Sequence, residues 1–529
     1  SELARAYNNL ADPHKPTCNE MLKKAIALLE PHEEYFKDDH CWNFRMGYSY
    51  YYLDQEARAL KYFEKALEAR PNDEDTKEFI CWCKERIDYP MFYECFKDRT
   101  KKAWKEFIKQ EKELRKIMDE DKNNEHGKEL IKKCENILNI AFYSVSFELG
   151  YNGEKYELIL TPEGDKIKLF ELIYFVKHAP KEIENNWNIL VGRQANTDIA
   201  IRVEGFDING EDVLVWIDKN DQGVDLSIYC EKTQTLLKEE ENRVWWLLTT
   251  LTDLILGEII HMRYIDSLNI LDSIQDKEWI TLTNLPKKLE EMGFKLSNDP
   301  EALLELYTGY QMNPIQDKNA DLRLDTIFGS SCCVALLNEY LCNEEDSMDM
   351  LHADGSVAGF FYYPLSSFAK DDSTQQIFDF RDSLEDYLLN NCGESLTLIG
   401  GATGSNYGYV DFIAWDLSHV LQTAKEFFID TNIEWANFHV FRRNAGSLCL
   451  KYSQDENNDD QEDIHKMKTR DYIPYTPENA EAFYEQLEKW NDDDNYTRCI
   501  EMLDSIPEEL RNYRSSYALA RALENYAII

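Results

Sequence analysis

A glycine-rich segment in the C-terminal half of the chain has residue types that could cradle a phosphate group. Residues 400–404 read Gly-Gly-Ala-Thr-Gly. Such segments bind phosphate when they lead from a strand into a helix, because the amide groups at the start of the helix then face the anion. Here residues 396–399 and 407–415 both have the pattern of strands. We therefore expect the glycines to form a hairpin connection, with Gly401 and Gly404 as alternative candidates for a ligand site.

Asp411 is a carboxylate within an apolar predicted strand, and it could act as an acid or a base. Both faces of residues 407–415 are apolar, which is typical of a central strand of a sheet. A carboxylate in such surroundings needs a partner, and Arg323, Arg442 or Arg443 could form an ion pair with it. Alternatively its pKa would rise and the group could exchange protons with a substrate. The sequence leaves both roles open.

Motifs for metal binding and nucleophilic catalysis are incomplete. Glu258-Ile-Ile-His261 has the Glu-x-x-His spacing of di-iron helix bundles, but the chain has no second copy of it. Cys81-Trp-Cys83 lacks a second cysteine pair at zinc spacing, and the Gly-x-Ser-x-Gly motif of hydrolases is absent. We therefore predict neither a metal site nor a cofactor, and a role other than catalysis is favoured.

The charge of the chain disfavours several classes of partner. Its 529 residues include 100 acidic and 58 basic side chains, which gives a formal net charge of −42. A surface with this charge repels nucleic acid and anionic lipid, so we expect binding to neither. No apolar run reaches the roughly 18 residues of a membrane span. The odd number of 13 cysteines is typical of a reducing compartment, which predicts a cytoplasmic protein.

The elements that would position a binding surface are clearest in residues 43–71, where the spacing of small and aromatic residues predicts two antiparallel helices. Gly47 and Ala59 are small enough for the helices to approach closely, and Pro71 ends the second helix. The positions that carry the pattern are Asn43, Met46, Gly47, Tyr50, Ala59, Phe63, Ala66 and Pro71. This segment resembles one tetratricopeptide repeat, with Asn43 where that repeat usually has tryptophan.

The resemblance implies that Phe44, Tyr48, Tyr51 and Tyr52 lie towards the concave side of the first helix. Aromatic side chains give a large contact area at low entropic cost, so this face is a candidate peptide groove. Phe44 and Tyr48 stand where related repeats that clamp a C-terminal carboxylate have lysine and asparagine, so we do not expect chaperone tails to bind. The alternative is that the aromatic residues pack against the next helix or a central domain.

The two ends of the chain resemble each other. Residues 3–11 and 519–527 are identical at six of nine positions, and the tail before the second segment has a helical pattern. This similarity predicts tetratricopeptide-like helices at both ends, with the last repeat truncated, and self-association through the chain ends is a further expectation. An acidic run at residues 455–463 predicts a linker before the C-terminal helices.

Between the ends, strands and helices alternate irregularly, and Asn152-Gly153 between two strand-like runs predicts a hairpin. This pattern favours an α+β fold, in which tetratricopeptide-like helical hairpins at both ends flank two mixed α+β domains. The central regions resemble segments of bacterial proteins without a known activity, notably at residues 160–164 and 400–404. The predicted parts are a helical domain (1–138), a first α+β domain (139–275), a connecting segment (276–302), a second α+β domain (303–453), an acidic linker (454–475) and C-terminal helices (476–529).

These observations predict an intracellular protein-binding or scaffold protein, of bacterial type, that recognises a protein or peptide through its tetratricopeptide-like helices. One alternative is an enzyme or small-ligand sensor with its site near Asp411. A further alternative is an immunity or antitoxin protein, because strong negative charge suits a basic partner.

Overall fold

The computed structural model describes residues 2–452, except 13, 14, 16, 121–125, 204–205, 221–222, 316, 318–319 and 369–372, together with residues 483, 484, 487 and 503. The chain forms two compact units, Ser1–Lys451 and Tyr452–Ile529. In the second unit the described residues are Tyr452, which is exposed, and residues 483, 484, 487 and 503, which are helical and buried. The predicted acidic linker and most of the predicted C-terminal helices lie outside the described residues.

The first unit begins with helices that pack on one another in sequence order. Their bounds are α1 (Glu2–Leu10), α2 (Cys18–Leu29), α3 (Glu33–Phe36), α4 (His40–Tyr51), α5 (Glu56–Ala69), α6 (Glu74–Asp88), α7 (Phe96–Glu120) and α8 (Gly127–Leu138). Helix α1 packs on α2, α4 packs on α5, and α6 follows against α5. The side chain of Asp39 caps α4 by accepting a hydrogen bond from the Trp42 amide at 2.8 Å.

Helices α4 and α5 cross at the small residues that the sequence pattern placed there. A Cβ atom on Gly47 would lie 2.9 Å from the ring of Phe63, so only glycine allows this approach. Ala59, Phe63 and Ala66 on α5 are completely buried. The two helices therefore form the closely packed pair that residues 43–71 predict.

The rest of the unit mixes strands and helices, which confirms the α+β class. The strands are β1 (Ser146–Tyr151), β2 (Tyr156–Thr161), β3 (Trp187–Val191), β4 (Ala200–Val203), β5 (Phe206–Asn209), β6 (Val213–Lys219), β7 (Val224–Cys230), β8 (Ile265–Ile270), β9 (Ile280–Thr281), β10 (Thr308–Gln311), β11 (Thr326–Ser331), β12 (Val357–Pro364), β13 (Leu396–Gly404), β14 (Tyr407–Ala414), β15 (Ala436–Val440) and β16 (Ser447–Lys451). The helices are α9 (Lys166–Lys177), α10 (Gln234–Leu237), α11 (Glu241–Leu256), α12 (Glu258–Tyr264), α13 (Leu285–Glu291), α14 (Pro300–Leu304), α15 (Val334–Cys342), α16 (Asp346–Asp354), α17 (Ser373–Cys392) and α18 (Leu417–Ile429).

The largest sheet is antiparallel and has the strand order β10-β11-β13-β14-β12-β15-β16. Smaller sheets have the orders β1-β2-β3, β4-β5 and β8-β7-β6-β9, in which β2–β3 and β7–β8 are parallel pairs. The hairpin of β1 and β2 turns at Asn152 and Gly153, as the sequence predicts. Residues 259–264, which have the apolar run of a strand, instead belong to helix α12.

The hydrophobic cores divide the chain differently from the predicted domain boundaries. Helix α7, strands β1–β3 and helix α9 share one core with the seven-stranded sheet. Trp104 on α7 stacks on Phe175 of α9 at 4.5 Å, while Phe96 at the start of α7 meets Trp415 beyond β14 at 5.5 Å. Strands β4–β8 and helices α10–α13 enclose a second core, and α1–α6 a third. The long amphipathic helix α7 therefore joins regions that are far apart in sequence.

No single helix in the described ranges is both long enough and apolar enough to cross a membrane. Helices α11 and α12 pass that test only as a pair, and they are bent by 103° at Gly257.

Candidate functional site

Asp411 is held in a buried ion pair with Arg323, which is one of the three partners that the sequence offers. The carboxylate is 1% exposed. Arg323 donates to its two oxygens, from Nη1 at 2.5 Å and from Nη2 at 3.1 Å, and Nη2 also donates to the Tyr310 hydroxyl at 2.9 Å. Both carboxylate oxygens thus accept hydrogen bonds from Arg323. Of the two roles that the sequence left open, the geometry displays the structural ion pair.

Aromatic rings surround this ion pair. The guanidinium carbon of Arg323 lies 5.1 Å from the ring centres of Phe360 and Tyr409 and 5.3 Å from that of Phe441. Arg323 Nε has no hydrogen-bond partner among the described residues, but the rings and the carboxylate together stabilise the cation. Burial alone would lower the pKa of Arg323, but the charge and hydrogen bonds of Asp411 outweigh it and raise the pKa above its ordinary value. The group is therefore a permanent cation fixed inside the protein.

The glycine-rich segment extends strand β13 rather than forming the connection between two strands. The turn to β14 consists of Ser405 and Asn406. A Cβ atom on Gly401 would lie 2.5 Å from the Tyr409 carbonyl oxygen, and one on Gly404 would collide with the Asp325 carboxylate. The glycines therefore allow close packing within the strand. The expectation that residues 400–404 form the hairpin connection is wrong, because the connection follows them at residues 405–406.

Asp325 also occupies the place that an anion would take. Its Oδ2 accepts hydrogen bonds from the amides of Asn406 at 2.9 Å and Tyr407 at 3.1 Å, and its Oδ1 accepts one from the Tyr409 hydroxyl at 2.5 Å. A negative side chain already satisfies these donors and would repel a phosphate group. Gly401 and Gly404 are therefore placed beside an internal carboxylate, which argues against the phosphate-binding alternative.

The four aromatic candidates of α4 and its C-terminal end gather around one ring of α6. Phe44, Tyr48, Tyr51 and Tyr52 have ring centres between 5.3 and 6.4 Å from that of Phe79. Tyr52 is 37% exposed, and the other three are half-buried. This aromatic layer (residues 44, 48, 51, 52 and 79) thus packs within the protein while keeping part of its surface open.

Two of the four candidates also line a cavity between α1 and α4, which we call the α1/α4 groove. Its volume is about 260 Å³. The lining residues are Arg5, Asn8 and Asn9 from α1 and His40, Cys41, Phe44, Arg45 and Tyr48 from α4. Tyr51 and Tyr52 do not line it. Burial raises the pKa of Tyr48 to about 12, so its hydroxyl stays protonated and can donate a hydrogen bond at neutral pH.

The α1/α4 groove contains buried polar groups with unused hydrogen-bonding capacity. Arg45 donates from Nη2 to the Glu2 carboxylate at 2.8 Å, whereas its Nη1 is buried and has no hydrogen-bond partner in the described part of the chain. His40 lies 3.4 Å from both Asp73 and Thr76 through Nε2, and its buried Nδ1 has no such partner there either. A ligand with hydrogen-bonding atoms could satisfy these groups.

A second cavity, also of about 260 Å³, lies on the other side of Arg45. It is lined by Glu2, Leu28, Leu29, His32, Phe36, Asp39, Cys41, Trp42 and Arg45. Arg45 and Cys41 border both cavities. Because Glu2 is 78% exposed, the Glu2–Arg45 pair is at the surface and can open at little cost in free energy.

Buried charges fix helix α5 to helix α16. Helix α5 has no cap from its own sequence, and Asp349 of α16 accepts hydrogen bonds from the amides of Ala57 at 3.1 Å and Arg58 at 2.8 Å. Arg442 donates to the same carboxylate at 2.6 Å. Asp349 and Arg442 are both almost fully buried, so this contact holds α5 in one position against α16.

Glu56, at the start of α5, extends this charged contact. Its Oε2 lies 3.1 Å from Nδ1 of His352, and its Oε1 lies 3.2 Å from Arg86. Burial alone would raise the pKa of Glu56, but the hydrogen bond and charge of His352, together with Arg86 and Arg442, lower it to about 2. Glu56 is therefore ionised throughout the neutral range, and it contributes to docking rather than to proton transfer.

The sequence pattern identified the aromatic side of the groove but not its polar side. Arg5, Asn8 and Asn9 come from α1, which contacts α4 only in the folded chain. Arg45 directly follows Phe44 in the sequence. This position next to a predicted groove residue was the only sequence feature that could have identified Arg45 as part of the groove. In the residues that the structure covers, no group of three or more His, Cys, Asp or Glu side chains could hold a metal ion.

Comparison with models of protein families, with curated proteins and with solved structures found no match to this chain.

Proposed function

We propose that this protein binds a segment of another polypeptide in the α1/α4 groove. The observation that carries the proposal is the combination, in one cavity, of open aromatic surface with buried polar groups that have no hydrogen-bond partner among the described residues. Phe44 and Tyr48 offer apolar contact area, and Arg45 offers an unused charged donor. Binding energy in peptide sites concentrates in such aromatic and arginine residues when a ligand covers them.

We also propose that α1–α6 form a tetratricopeptide-like array. Helix α1 pairs with α2, α4 pairs with α5, and α6 packs on α5. The contacts between α1 and α4 and between Phe44 and Phe79 support a side-by-side arrangement of α1, α4 and α6. The close crossing at Gly47 supports the same assignment. The similarity of residues 3–11 to 519–527 extends the proposal to the C-terminal unit and to self-association through the chain ends.

A cytoplasmic location fits this role. No two cysteines in the described part of the chain are joined by a disulfide bond, which is the usual state in a reducing compartment. The groove would then meet intracellular proteins as partners.

The test begins with selection of groove ligands from a library of random peptides displayed on phage. Affinities of the selected peptides for wild type, Phe44→Ala and Tyr48→Ala would be measured by fluorescence anisotropy. Each substitution should weaken binding about tenfold or more, because each removes an aromatic wall of the cavity. Circular dichroism and thermal unfolding would establish that the variants are folded.

Tyr52→Ala is the matched control. Tyr52 belongs to the same aromatic layer and its ring centre lies 4.6 Å from that of Tyr48, but Tyr52 does not line the cavity. Its loss should change affinity by less than about twofold. Equal binding to wild type, Phe44→Ala and Tyr48→Ala would remove the α1/α4 groove as the binding site. Equal weakening by Tyr52→Ala would point to the aromatic layer as a whole.

A further inference from the structure

The seven-stranded sheet ends at β10, a strand with unusual surroundings. Within the described residues, β10 pairs with β11 on one side and with no strand on the other. Residues 306–315, which include β10, contain no charged side chain, although 30% of the whole chain is charged. Proteins usually protect such edges with charges or proline within the strand, because an unprotected edge readily pairs with another chain.

On the side away from β11, the backbone groups of β10 have no hydrogen-bond partner within the described ranges of the chain. The Met312 amide donates to the Ile327 carbonyl of β11 at 3.0 Å, and the register pairs Tyr310 with Gly329 and Thr308 with Ser331. Alternate residues of an antiparallel strand direct their N–H and C=O groups to opposite sides. The groups of Thr308 and Tyr310 therefore face β11, and those of Gly309 and Gln311 face away from it.

The same edge has open space and apolar surface. A Cβ atom on Gly309 would have no neighbour closer than the Gly329 carbonyl oxygen at 4.0 Å. Nearby, Tyr307 is 51%, Phe328 40% and Phe378 37% exposed, and the rings of Phe328 and Phe378 are 6.3 Å apart. Phe328 pairs with Gln311 and so lies on the face of the sheet to which the side chain of Gln311 points. An apolar side chain beside Gly309 would find both room and apolar contacts.

We propose that the β10 edge binds an extended segment of another protein, which adds a strand to the sheet. The outward groups of Gly309 and Gln311 require an extended backbone, and the exposed aromatic rings require apolar side chains at alternate positions. The absence of charge along residues 306–315 makes an uncharged segment the best complement. At the β10 edge a second copy is a poorer partner, because no charge along residues 306–315 offsets the repulsion between two chains that each carry a net charge of −42. This surface is separate from the α1/α4 groove.

The experiment uses the full chain and a defined probe, a capped peptide that alternates threonine with valine and phenylalanine. Hydrogen exchange would be followed at single residues by mass spectrometry with electron-transfer fragmentation. In the free protein the amides of Gly309 and Gln311 should exchange fast and that of Tyr310 slowly. Saturating peptide should slow exchange at Gly309 and Gln311 while leaving Tyr310 unchanged.

Two controls separate strand addition from general stickiness. A peptide of the same sequence with every second backbone amide methylated should bind at least about tenfold more weakly. It lacks the N–H donors of the methylated amides, and its backbone no longer fits the edge of a strand. Gln311→Pro removes one outward donor that the fold does not use, and it should weaken binding by a similar factor, whereas Gln311→Ala should not. Thermal unfolding would show whether Gln311→Pro is folded, and the methylated peptide tests the proposal without any variant.

The contrary outcomes are equally definite. Slow exchange at Gly309 and Gln311 in the dilute free protein would mean that the edge is already covered. Protection that increases with protein concentration in the absence of peptide, together with faster sedimentation, would identify a second copy as the occupant. Lack of peptide binding, or equal binding of the methylated peptide, would also overturn the proposal.

Discussion

Arg323 and Arg45 are both mostly buried arginines that pair with a carboxylate, but they differ in the exposure of their partners. Arg323 is 0% exposed and its partner Asp411 has a side chain only 2% exposed. Arg45 has a side chain 12% exposed, whereas its partner Glu2 is 78% exposed. The first pair is sealed within the sheet, and the second can exchange its carboxylate for another without disturbing the core. The exposure of the partner, rather than that of the arginine, separates a structural cation from one available for binding.

The largest expected effect comes from breaking the sealed pair. Arg323→Met leaves the Asp411 carboxylate buried without its cation, and we expect the free energy of unfolding to fall by about 3 to 5 kcal/mol. Urea denaturation measures this loss. The double variant Arg323→Met/Asp411→Leu should recover most of it, because no uncompensated charge remains. A loss as large in the double variant would mean that packing, rather than charge, governs the site.

The second prediction extends the comparison to Glu56, another sealed carboxylate. The pKa of Glu56 is about 2 in the folded protein, compared with an ordinary value of 4.5 for an unfolded chain. The ionised carboxylate therefore stabilises the fold above pH 4.5. That stabilisation is lost as the pH falls from 4.5 towards 2, and the loss is on the order of 2 to 3 kcal/mol. Urea denaturation at a series of pH values should show the decline in wild type and a shallower one in Glu56→Gln. Identical profiles would contradict this role for Glu56.

The third prediction concerns the packing around Asp325, which adjoins the sealed pair. Gly404→Ala would push a methyl group into the Asp325 carboxylate, and we expect a loss of about 1 to 3 kcal/mol in the free energy of unfolding. Gly127→Ala is the matched control, because a Cβ atom there has no neighbour within 4 Å. The control should change stability by less than about 1 kcal/mol. Equal effects at the two glycines would show that the strand tolerates the added group.

The smallest effect on stability is expected at the Glu2–Arg45 pair. Arg45→Met removes a surface ion pair and a buried donor without a partner, so the free energy of unfolding should change by less than about 1 kcal/mol. Peptides selected for the α1/α4 groove should nevertheless bind about tenfold more weakly, as fluorescence anisotropy would show. A loss of stability comparable to that of Arg323→Met would remove the distinction between the two arginines.

Local patterns predicted much of the fold, because most elements have a clear period. The turn at Asn152-Gly153 and the buried strand β14 follow from such patterns. Strands β10 and β11 were missed, because β10 is only four residues long and β11 contains Gly329 and neighbouring serines that favour turns. The glycines of β13 were assigned to a turn for the same reason, although tertiary packing requires them within the strand.

The candidate groove was predictable on one side only. The repeat pattern within α4 identifies Phe44 and Tyr48, whereas the contribution of α1 depends on packing between helices that the pattern does not describe. The grouping of the hydrophobic cores differs from the predicted domains for a related reason. The amphipathic pattern of helix α7 indicates that its apolar face is buried. The pattern does not indicate that this face packs in one core with both β1–β3 and the seven-stranded sheet.

The contact of Asp349 with the first turn of α5 makes the groove dependent on a distant part of the chain. The amides of Ala57 and Arg58 lose their acceptor whenever α16 moves away. In a fragment limited to the first six helices, these two amides would have no side-chain acceptor, and the N-terminal end of α5 would fray. Ligand affinity measured on such a fragment would understate that of the whole chain, even though every groove residue would be present.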